Sequence, residues 1–63
     1  MKLDKIEGLR EAFYKVHELA REAAENIGKA ESVDEMTPYI REMNAYLKAA
    51  EEIHLLIMKA LTE

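Results

Sequence analysis

The sequence predicts an all-α fold: a two-helix antiparallel hairpin that associates further into a dimeric four-helix bundle. Three observations lead there. Two apolar stripes of nearly equal length run along the chain at alternating spacings of three and four, the rhythm of a helix face turned to a core. One breaker segment, between Gly28 and Pro38, separates them. The chain has 63 residues and no cysteine, and a domain of this size buries only about 60% of the surface its unfolded form exposes.

The first stripe is Ile6, Leu9, Phe13, Val16, Ala20, Ala23, Ile27 and Ala30, apolar at every slot. Asp4 is expected to cap this helix, with Glu7 three residues on completing a capping box. Gly28 suits a left-handed cap at the other end. The first helix is therefore placed at about residues 4–28. Gly8 inside it costs about 1 kcal/mol relative to Ala.

Between the stripes, Ser32 and Glu35 can cap a short turn, and Thr37-Pro38 makes a helix start with a hydroxyl N-cap and proline at the first helical position. Proline deeper in a helix deletes a backbone bond. The connection is accordingly expected at about 29–36 and the second helix at about 37–62.

The second stripe runs Met36, Ile40, Met43, Leu47, Ala50, His54, Ile57 and Leu61, with His54 its one polar member. A parallel row of Tyr39, Tyr46, Ile53 and Ala60 widens this face beyond what a single companion helix covers. Folding the chain back sets Ala20, Ala23 and Ala24 at the level of Met43 to Leu47, small residues opposite large ones.

Small domains usually supplement a thin core with a disulfide, a metal or another chain. Without cysteine the first route and every thiolate site are closed, and association is the expected solution. The expected homodimer interface comprises Phe13, Ile40, Met43, Tyr46, Leu47, Ile53, His54 and Ile57.

Charged residues make up 35% of the chain with a net charge of −4, both signs interspersed. That is no footprint for neutralising phosphates, so nucleic acid is not an expected partner. No stretch approaches the ~18 apolar residues of a membrane span. The polar faces mix Glu with Lys and lack the basic stripe of an interfacial helix, so no membrane association is expected either. The opening MKLDKIEGLR lacks the apolar segment and cleavage site of a signal peptide, which points to a cytoplasmic chain.

Glu51-x-x-His54 places two metal-ligating types three apart on one helix face. The pattern resembles the Glu-x-x-His element of ferritin-like di-iron proteins and of designed two-helix di-metal hairpins. That resemblance implies a four-helix bundle holding metal through Glu51 and His54, and such sites also take an inward Glu from the companion helix. Here the companion's inward slots are all apolar, while Glu11, Glu18 and Glu25 share a stripe opposite the core. His17 is the other candidate ligand, able to join His54 only if the two converge. No cofactor is expected. The acidic pairs Glu22-x-x-Glu25 and Glu31-x-x-Asp34 read as a solvated run.

Ser32 and Thr37 are accounted for as caps, and neither has a histidine nearby in sequence to serve as a base. The methionines and tyrosines fit core and boundary positions, except Tyr14, which projects off the first stripe where a protein partner would cover it. The sequence thus reads as a non-enzymatic, self-associating hairpin serving as an assembly or protein–protein interaction module. Its rivals are a His/carboxylate metal-binding bundle and a small acidic inhibitor or decoy on a basic protein surface.

Overall fold

Two helices pack side by side in the computed structural model, which describes residues 2–63: α1 (Lys2–Lys29) and α2 (Val33–Thr62). With 28 and 30 residues, they are about 42 and 45 Å long at 1.5 Å per residue. Together they form a rod with Cα extents of 48 × 14 × 11 Å. The first turn of α1 lies beside the end of α2, with Lys5 Nζ 4.0 Å from a Glu63 carboxylate oxygen. Both groups are more than half exposed, so the pair contributes well under 1 kcal/mol.

The helices are longer and the connection shorter than the sequence signals suggest. The connection is residues 30–32, not 29–36. Helix α1 already begins at Lys2, which puts Asp4 inside the first turn, where its charge favours the N-terminal end of the dipole, instead of at the cap. Gly28 is not a left-handed cap, for no glycine in the described chain has positive φ. The helix runs one residue past it, and the Ala30 amide closes the end by donating to the Ile27 carbonyl at 3.3 Å.

At the start of α2, Ser32 is the N-cap, with extended backbone and a side-chain oxygen that accepts from the Glu35 amide at 3.1 Å. Glu35 reaches back and accepts from the Glu31 amide at 2.8 Å, one residue earlier than in a standard capping box. Helix α2 therefore starts at Val33, not at Thr37, and carries Pro38 within it. Proline there removes the bond to the Asp34 carbonyl. Both residues are exposed, so water can satisfy that carbonyl. Thr37 spends its hydroxyl on the Val33 carbonyl, 2.9 Å away, instead of capping.

The α1 stripe faces α2 as expected: Ile6, Leu9, Phe13, Val16, Ala20, Ala23, Ile27 and Ala30 are all buried or half-buried. On α2 the face is turned relative to the expected main stripe. Met36, Met43, Ala50 and Ile57 face inward together with Tyr39, Tyr46, Ile53 and Ala60. Ile40, Leu47, His54 and Leu61 lie outside the seam and are exposed. Each helix so presents one row plus the row three residues on. This choice keeps the imidazole of His54 in water, avoiding the cost of burying a polar ring, and brings Ala60 inward in place of Leu61.

The core is thin. The fully buried residues are Ala20, Ala23, Ala50 and Ala60, and no large side chain in the described chain falls below 2% exposure.

Candidate functional site

The seam and its flanks decide what each candidate residue can do. Five of the eight expected interface residues, Phe13, Met43, Tyr46, Ile53 and Ile57, are half-buried within the hairpin's own seam. The other three, Ile40, Leu47 and His54, line one outer flank, where Ile40 is 38% and Leu47 43% exposed. Leu61, 57% exposed, continues the same row.

A shallow groove opens on this flank, lined by His17, Ala20, Arg21 and Ala24 of α1 and by Met43 and Leu47 of α2. Small side chains on α1 create it, since the alanines stop short of the methionine and leucine opposite. No carboxylate lines it. The opposite flank carries a second groove, lined by Leu19, Glu22, Ala23, Asn26, Tyr39, Glu42 and Tyr46. There two glutamates guard the rim.

The metal candidates are placed as follows. Glu51, His54 and His17 are all exposed. Both histidines lean on Phe13: the His17 ring centroid lies 5.6 Å from that of Phe13 with planes inclined 35°, and the His54 centroid 6.3 Å away at 48°. Aromatic packing accounts for both ring positions. Among the described residues, no group of three or more His, Cys, Asp or Glu side chains is arranged to hold a metal ion.

Tyr14 projects off the seam and is 60% exposed, as its position in the sequence suggests. Its ring meets Phe13 edge-on at 5.9 Å, and Arg10 sits over it with Cζ 5.7 Å from the centroid. Interaction with the Tyr14 hydroxyl, and more weakly with Glu7, raises the already high pKa of the Arg10 guanidinium. Glu7, Arg10, Glu11 and Tyr14 border a surface dip here. All of them are side chains of α1 alone.

Sequence reasoning missed the open end of the hairpin. Leu3, Leu55, Leu56 and Met58 are at least half exposed there, close in sequence to Leu61 on α2 or at the start of α1. The signal was present in the run Ile53-His54-Leu55-Leu56-Ile57-Met58, which is apolar on nearly every side of the helix. No buried polar or charged side chain occurs among the described residues. No described helix is long and apolar enough to cross a membrane.

Compared with protein-family models, curated proteins and solved structures, the chain matches none of them.

Proposed function

We propose that this chain is a non-enzymatic helical hairpin that self-associates, in its simplest form as an antiparallel dimeric four-helix bundle, and serves as an assembly or protein–protein interaction module. The observation that carries the reading is the all-alanine core: a hairpin whose fully buried residues are Ala20, Ala23, Ala50 and Ala60 leaves its large apolar side chains partly wet. Stability of an ordinary domain rests mainly on burying such side chains, at roughly 1.5–3 kcal/mol for each one fully covered. Self-association supplies the missing cover.

Shape supports the same reading. The radius of gyration is 14.6 Å, against roughly 11 Å for a compact globule of this length. Two such rods laid together approach the thickness of an ordinary four-helix bundle.

Gel filtration with light scattering tests this directly. The expected mass is twice the 7.3 kDa of one chain, and the melting temperature should rise with protein concentration. A folded species of single-chain mass at micromolar concentration, melting independently of concentration, would falsify the proposal.

A further inference from the structure

We infer that a second copy of this chain docks on the flank formed by Val33, Ile40, Leu47, His54 and Leu61, with the two α2 helices antiparallel about a two-fold axis passing beside Leu47. The inference rests on the self-association proposed above and names its face, orientation and register.

Area sets the size of the missing contact. The hairpin exposes 5015 Å², whereas a compact monomer of its mass exposes about 4,200 Å². The excess of about 800 Å² equals one partner's share of a standard interface. It arises because two rods in a single layer cannot shield their flanks.

Charge selects the flank. Face-to-face pairing on the side of Tyr39 and Tyr46 would bring Glu22 and Glu42 of both copies together, whereas the groove beside Leu47 is lined by His17, Ala20, Arg21, Ala24 and Met43 with no carboxylate. Like charges in a closing interface cost several kcal/mol. On the side of Leu47 the flank carries Glu51, one turn from Leu47 and His54, but the register set by the row keeps the two Glu51 side chains apart.

The spacing of the row selects the register. Val33, Ile40, Leu47, His54 and Leu61 recur every seven residues and are all exposed, so about the stated axis Val33 lies opposite Leu61, Ile40 opposite His54 and Leu47 opposite Leu47, and all five are covered in each copy. Sliding seven residues one way sets Leu47 opposite His54 and Ile40 opposite Leu61 but leaves Val33 uncovered. Sliding the other way sets Ile40 opposite Leu47 and strands Leu61. In the favoured register Met58 arrives at the level of Met36 of the other copy, and the two α2 helices overlap along their whole length. Glu51 of each copy lies at the level of Met43 of the other, so the two Glu51 side chains stand about 12 Å apart along the helices, beyond the roughly 8 Å Debye length at physiological salt.

The test combines masses with cross-links. Leu47→Glu places a charge in the proposed contact and should halve the light-scattering mass while circular dichroism stays helical. Leu56→Glu, on the other flank and 51% exposed, should leave the doubled mass unchanged. Because the chain has no cysteine, single replacements pair without competition. Mild oxidation of the Leu47→Cys chain alone should link it to itself, and the His54→Cys chain alone should link to itself far less. These cross-links keep the inference testable if Leu47→Glu fails to fold. A doubled mass that survives Leu47→Glu but not Leu56→Glu, or self-linking of His54→Cys as efficient as that of Leu47→Cys, overturns the face or the orientation and leaves self-association standing. A single-chain mass for the unsubstituted protein removes both.

Discussion

Phe13 of α1 and His54 of α2 face each other across the hairpin with ring centroids 6.3 Å apart and planes inclined 48°. His17 leans on the same Phe13 ring from within α1. One half-buried phenylalanine thus orders both histidines of the chain.

Removing that ring should be the costliest single truncation in the first helix. Phe13→Ala is expected to lower unfolding free energy by about 2 kcal/mol, below the ~3–5 kcal/mol of fully buried aromatics because this one is only half covered. Urea titration at fixed protein concentration measures the change, and Phe13→Leu should recover most of it. A loss under 0.5 kcal/mol would show that the seam does not depend on this ring.

The Ser32 cap makes a second prediction. Ser32→Ala removes the acceptor for the Glu35 amide and should cost about 1 kcal/mol, whereas Ser32→Asp should cost almost nothing. Equal melting temperatures for all three chains would mean that another group satisfies that amide.

Both glycines are expected to be replaceable with gain. Gly8 and Gly28 lie inside α1, neither has positive φ, and a methyl group added at either meets nothing within 4 Å. Gly→Ala at each should stabilise by about 0.5–1 kcal/mol. A loss at position 28 would instead indicate the left-handed end that Gly28 suggests in the sequence.

Pro38 offers a larger increment. Pro38→Ala restores an amide donor for the Asp34 carbonyl and relieves the ring's clash with it, and should stabilise by about 1–3 kcal/mol. Helical circular dichroism should increase slightly. An unchanged melting temperature would place the first turns of α2 outside the cooperative unit.

The fold class was legible because periodicity is a global signal: both stripes keep their rhythm over the length of each helix, and local irregularities cannot hide it. Helix ends were not. Gly28 and Thr37-Pro38 are locally persuasive punctuation, but packing of Ile27 and Met36 at the turn, with the Ser32 cap, carries both helices past them. Turning of the α2 face was also hidden. Met36, Met43, Ala50 and Ile57 combine equally well with the row three residues on or the row four residues on, and only packing on α1 distinguishes these. Of the expected interface, Ile40, Leu47 and His54 stayed on an outer flank for that reason, while Met43, Tyr46, Ile53 and Ile57 turned inward.

The tight reversal at residues 30–32 also decides where the two apolar edges point. Ile27 and Met36 are nine residues apart, and in an uninterrupted helix that is about two and a half turns. A chain that straightened through the reversal would display its two greasy edges on opposite sides of one pole. Such a pole grips neighbours on both sides at once, a pattern that grows into fibres because nothing closes it. Doubling back points both edges at each other and removes that two-sided grip.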